Sequence, residues 1–304
     1  MAFGIFQIKG GALQNWRYLF IIEGAASVLF SVFALFYLPR SASHAKFLNP
    51  VEKELAFQRI QQDSSSVVDE KLSIRDALKV FNHPTTWVFL LIECALGVPI
   101  QGVANFLPQI VGRLGFATVK TNLYTVAPNI CGAVVLLILA FASDITRLRF
   151  PFIMIGFAFP VIGFIVYAAI DVKTNIAAAY AMTFLMTSGT SAPSVILSTW
   201  YNNNTPSESR RAALTAVGVP LANMMGIVST QIFRPQDAPA YIPALITTAV
   251  FGAVGIVLTG CLGAFMIIDN KRRNLKSGVN LRVQDVSTEI LAKGPNQEKF
   301  RWFI

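Results

Sequence analysis

Glu93, Gly97, Gln101, Asn105 and Gln109 recur every fourth position along one apolar run, which sets them on one slowly rotating face of a helix. If that run crosses lipid, the face must meet protein or water, because a carboxylate and three amides are expensive in hydrocarbon. Glu93 is a candidate proton-coupling group, and Gln101 and Asn105 are candidate contacts for a polar solute. A shallow or hydrogen-bonded structural carboxylate is the competing reading of Glu93. Pro99 cannot donate to the Ala95 carbonyl, which leaves an acceptor for Gln101, water or a ligand and favours a kink. Two more amides sit inside apolar runs, Asn129 beside Pro128 and Asn223 beside Pro220. Each is a candidate substrate contact, with hydrogen bonding between helices as the alternative. The hydroxyl run from Thr183 to Ser194 is expected mainly to permit close helix packing, with Gly189 and Pro193 bracketing the stretch that bends.

Enzymatic chemistry has little to stand on. The sequence holds no H-E-x-x-H helix, no G-x-S-x-G elbow and no phosphate-binding loop of the G-x-x-x-x-G-K-[ST] type. Both histidines, His44 and His83, lie in one polar segment, and the three cysteines, Cys94, Cys131 and Cys261, lie in apolar runs where a thiol behaves as a small hydrophobe. No metal spacing or disulfide framework results, and no cofactor is implied.

These residues must be positioned by membrane-spanning helices. Of 304 residues, 54% are hydrophobic and only 13% charged, and the mean hydropathy is +0.56. Such a composition places the chain in the membrane class, and its long apolar runs read as an all-α membrane protein. Seven runs are long enough to span: Leu19 to Leu38, Thr86 to Ile110, Leu123 to Ala142, Pro151 to Ile170, Ile176 to Leu197, Ala212 to Phe233 and Pro243 to Ile268. Residues 39–84 form a polar linker between the first run and the rest. It holds two helix starts, Asn49-Pro50-Val51-Glu52 and Ser73-Ile74-Arg75-Asp76, each with a capping side chain and an acid three positions on.

Alternation of seven spans leaves only Lys9, Arg17, Arg113, Lys120, Lys173 and Arg234 on the side opposite the linker, against the other 19 of 25 basic residues. The linker side is therefore expected to be cytoplasmic. The net charge of +9 reflects this bias, without the aromatic interleaving of a nucleic-acid surface. Asn203-Asn204-Thr205 matches a glycosylation acceptor but falls on that inner side. Residues 269–304 form an inner tail whose cluster Lys271-Arg272-Arg273 with Lys276 faces anionic lipid, and which is expected to be mobile past Ser277.

Taken in order, several motifs resemble one family. Trp16-Arg17-Tyr18-Leu19-Phe20-Ile21-Ile22-Glu23-Gly24 followed by Leu38-Pro39, then Asn105-Phe106-Leu107-Pro108, Leu114-Gly115-Phe116, Ser143-Asp144 with Arg147, Trp200 with Asn202-Asn203, Asp237-Ala238-Pro239 and Asp269-Asn270-Lys271-Arg272-Arg273 are similar to pieces of fungal major facilitator superfamily permeases. The resemblance is to their anion:cation symporter group, the allantoate permease-like family, and it covers nearly the whole chain. It implies a helical bundle truncated to about seven transmembrane helices. Residues 1–38 correspond to the end of helix five and helix six of the N-terminal half, 39–84 to the central linker and 85–268 to the six-helix C-terminal half.

The resemblance further implies a plasma-membrane permease that works by alternating access and couples a small organic anion or vitamin-like solute to protons. Gln101, Asn105, Asn129 and Asn223 are then the substrate-binding candidates, Glu93 the proton-coupling candidate, and Asp144 with Arg147 a cytoplasmic gate. Phe150 departs from the glycine usual in the gate loop. No Lys or Arg lies deep in the seven runs, so a substrate-binding arginine would come from the missing N-terminal half. The alternative is a non-transporting membrane interaction protein that pairs with itself or with a full-length relative, covering a polar face otherwise exposed to lipid.

Overall fold

The computed structural model describes residues 2–5, 13–39, 44–63, 73–115, 118–205, 207–286, 290–291 and 294–304. It is built from helices and divides into two units, residues 1–63 and 64–304. In the first, α1 (Asn15–Tyr37) leaves its apolar side chains uncovered, with Phe30 and Phe36 exposed and Phe33 stacked on Tyr37 at 5.2 Å. α2 (Pro50–Asp63) starts as its sequence predicts, since the Glu52 carboxylate accepts the Asn49 N–H at 2.8 Å.

The second unit opens on a one-turn helix, Ile74–Ala77, whose Ser73 hydroxyl accepts the Asp76 N–H at 3.4 Å. A 3-10 turn, Leu78–Asn82, leads to α3 (Pro84–Gly112), which starts on proline where a missing N–H costs nothing. Then come α4 (Val126–Thr146), α5 (Phe150–Ala169), α6 (Ile176–Thr190), α7 (Ala192–Asn203), α8 (Glu208–Ile232) and α9 (Ile242–Ser277). α3 packs against α8 and α9, α5 against α6 and α9, and α4 against α6.

Six helices among the described residues are long and apolar enough to cross a membrane. The seventh expected run is divided, because α6 and α7 meet at Ser191. Pro193 lacks the N–H that would bond the Gly189 carbonyl, and the break is wedged by α5. A Cβ on Gly156 would lie 2.8 Å from the Pro193 ring, and one on Gly189 would strike the Gly156 carbonyl. Small residues thus let these backbones approach closely, as helix packing in lipid requires. A hydroxyl in the same region goes further than packing, as Thr187 donates across to the Pro128 carbonyl of α4 at 2.8 Å.

Two apolar clusters fill the bundle. One, at the linker end, gathers Phe89, Leu96, Phe157, Ile196, Trp200 and Met266; the other holds Val103, Ile110, Phe164, Tyr167, Met186 and Leu245. At 36 residues α9 is about 54 Å long, well beyond a hydrocarbon core of about 30 Å. Its last turns carry Asp269, Asn270, Arg273 and Asn274, and they hold the tail. The expectation of a tail mobile past Ser277 is overturned for residues 294–304, where Phe300, Arg301 and Trp302 are buried. Arg273, expected at lipid, instead bonds Asp269 at 2.7 Å and donates to the carbonyls of Pro295 and Gln297. The first of these contacts spans one helix turn, whereas those to Pro295 and Gln297 reach 22 and 24 residues along the chain, which local patterning does not register.

Candidate functional site

The predicted polar face of α3 meets α8 at Gly97. A Cβ on Gly97 would collide with the Ala222 carbonyl and with Met225, so glycine alone fits this crossing. One turn to either side, polar groups converge. The Gln101 Nε2 donates to the Asn223 Oδ1 at 2.9 Å, and Glu93 lies beside Gly218, where an added Cβ would be 3.7 Å from its Oε1. Glu93 is 2% exposed, and among the described residues its Oε1 has no hydrogen-bond partner. A buried carboxylate oxygen without a protein partner is costly, and the position calls for a proton, a water or a ligand to satisfy it.

A cavity of about 100 Å³ opens here, lined by Glu93, Gln101, Ser194, Val219, Ala222 and Asn223 together with Gly97 and Ile100. It has room for a few waters. Three predicted residues therefore share one site: Glu93, Gln101 and Asn223. Asn105 and Asn129 are exposed and do not line this cavity, and the Asn129 Nδ2 is spent on the Thr125 carbonyl of its own helix at 2.9 Å. Ser194 completes the lining, although its sequence context, one hydroxyl in a packing run, singles it out only through the adjoining Pro193.

At the linker end the expected pairing of Asp144 with Arg147 is replaced. Asp144 is bonded by Arg149, whose guanidinium also donates to the Ser143 hydroxyl at 3.1 Å. Arg147 instead caps α4 in the left-handed region, at φ 57°, and this backbone turn carries Arg149 to the acid. Phe150 rests against Gly263 of α9, where a Cβ would overlap its ring, so the bulky residue of the loop has a matching gap.

A second ion cluster was not legible in the sequence. Arg210, at the start of α8, bonds Asp76 at 3.1 Å, and Lys79 bonds the same carboxylate at 3.0 Å. The Arg210 guanidinium, then Lys79, holds the Asp76 carboxyl below its ordinary range. Ser73 adds a backbone N–H to the Ser209 hydroxyl at 3.2 Å, fastening the linker's end to α8. Beside this cluster lies a larger crevice of about 500 Å³, lined among others by Asn82, His83, Asn204, Arg210 and Trp302. Burial lowers the affinity of His83 for a proton, and nearby Arg273 acts in the same direction.

The family model of the Major Facilitator Superfamily matches residues 2–230. An uncharacterized transporter of Schizosaccharomyces pombe is 52% identical over all of this chain and 60% of its own length. The MFS-type transporter efuF of Hormonema carpetanum is 42% identical over 95% of this chain and 58% of its own. The high-affinity nicotinic acid transporter of Saccharomyces cerevisiae is 28% identical over 85% of this chain and 48% of its own. The chain thus spans about half to three-fifths of these curated relatives. No solved structure matches it.

Proposed function

Since this chain belongs to the major facilitator superfamily, we propose that it serves in secondary transport of a small organic anion or vitamin-like solute, coupled to protons and working by alternating access. The chain is a multi-pass integral membrane protein. Its finer place is the anion:cation symporter group, with the linker side facing the cytoplasm and the plasma membrane as its site. The division into α1, a linker, a helical half formed by α3–α9 and an inner tail carries over to this proposal.

The observation that carries the reading is the cavity between α3 and α8. It joins a buried carboxylate, Glu93, to the hydrogen-bonded amides Gln101 and Asn223. In this proposal Glu93 takes and releases the coupled proton, while the amides exchange their mutual bond for bonds to solute. Asn105 and Asn129, exposed on the same half, contact the solute as it enters. Asp144 with Arg149, rather than Arg147, forms the charged element of the inner gate. The nicotinic acid relative supports a carboxylate-bearing vitamin as the first solute to try.

The test is uptake of radiolabelled nicotinate and other small carboxylates into yeast cells that lack their own carrier and produce this chain. Uptake should be faster at external pH 5 than at pH 7.5 and should collapse when a protonophore is added. Absence of any pH-dependent carboxylate uptake, with the protein shown at the cell surface, would overturn the proposal.

A further inference from the structure

The tail segment is bound in a way that random collapse onto the bundle does not explain. Two asparagines, one on α9 and one just past the end of α7, each grip one residue of it by both backbone groups. Asn270 of α9 donates to the Trp302 carbonyl at 2.9 Å and accepts the Trp302 N–H at 2.8 Å. Asn204, just past α7, donates to the Phe303 carbonyl at 3.0 Å and accepts the Phe303 N–H at 2.9 Å. In extended backbone the N–H and C=O of successive residues point to opposite sides, so two such amides on opposite walls form a cleft suited to an extended peptide.

Further contacts continue the pattern. The Trp200 Nε1 donates to the Phe303 carbonyl at 2.8 Å, and the Arg149 N–H, in the turn before α5, donates to the Ile304 carbonyl at 2.8 Å. The Trp302 Nε1 reaches the Asp269 carboxylate at 2.7 Å. Arg301, fully buried, is satisfied by Asn274 at 2.7 Å and by the carbonyls of Glu298 and Phe300. A buried cation whose bonds among the described residues go to neutral oxygens, with the Asp269 charge nearby, needs this full set to stay in place.

We propose that residues 300–304 are a strap, recognised in cis by the Asn204–Asn270 cleft, which ties the linker-side ends of α5, α7 and α9 into one body. With the strap seated, these three helix ends move together; released, α7 and the α4–α5 turn lose their shared partner. The role is independent of solute and needs no transport to be measured.

Hydrogen exchange on the full chain in lipid nanodiscs tests it. In the unaltered protein the amides of Trp302, Phe303 and Arg149 should exchange about 100-fold or more slowly than free peptide, as amides in closed native structure do. The double variant Asn204→Ala, Asn270→Ala should raise exchange about 10-fold or more at Trp302, Phe303 and Arg149 and at the 200–204 end of α7, while α6 is unchanged. Trp302→Phe, which keeps the backbone grips and most of the packing, should move exchange far less. Free-peptide rates at Trp302 and Phe303 in the unaltered protein would overturn the strap. So would a double variant that frees the segment and leaves Arg149 and residues 200–204 as protected as before.

Discussion

Glu93 is the residue on which the functional proposal is most exposed. Glu93→Gln keeps its shape and removes the exchangeable proton, so uptake in the variant should lose most of its difference between pH 5 and pH 7.5, and its rate at pH 5 should fall about tenfold or more. A retained pH response would remove Glu93 from the coupling role. The bond between Gln101 and Asn223 is testable without transport. A double-mutant cycle with Gln101→Ala and Asn223→Ala, read by thermal unfolding in detergent, should give a coupling of about 1 kcal/mol, the worth of one neutral hydrogen bond. Asp76 offers a pH signature. Its folded carboxyl titrates below the ordinary range because of Arg210 and Lys79, so the unfolded chain takes up the proton first as pH falls. The cluster's stabilisation is therefore full above about pH 4 and is lost as pH falls through the lower, folded value. Asp76→Asn should cost about 1 kcal/mol at pH 7 and flatten the acid limb of a stability profile below about pH 4.

Among the helices, the α3–α8 crossing leaves no room for a side chain at Gly97. Gly97→Ala places a methyl group against the Ala222 carbonyl, backbone that cannot swing aside, and should lower stability by about 1–3 kcal/mol in a thermal melt. How far such features were legible depends on range. The caps at Asn49 and Ser73 were readable because donor and acceptor lie within four residues. The spacing from Glu93 to Gln109 correctly placed Glu93 and Gln101 together, but it could not tell that Asn105 turns away from the α8 contact, since only the partner helix decides that. Gly189 and Pro193 marked the bend at Ser191, although the wedge that holds it comes from Gly156 on α5. Asp144 was recognisable from the sequence as one half of an ion pair. Its partner was not, because Arg147 and Arg149 are both near in sequence and the left-handed turn at Arg147 selects between them.

At the scale of the molecule, composition and apolar run length sufficed for the membrane class and for most helices. The contacts that close the linker end were invisible to the same reading. Asp76 and Arg210 are 134 residues apart, and Asn204 lies 99 residues from Phe303, so neither pair leaves a local periodicity. The tail is polar enough to read as solvated, yet Phe300 and Trp302 are buried among helix ends. The grip on Ile304 also bears on how the protein is handled. A fluorescent reporter or affinity tag joined directly after Ile304 begins at a carbonyl already bonded to the Arg149 N–H, in the turn between α4 and α5. Joined without a flexible spacer, such a cargo pulls on the grip and should lower the melting temperature relative to the same fusion with a Gly/Ser spacer. Chimaeras meant to report on this protein's abundance are therefore better labelled elsewhere, or given slack.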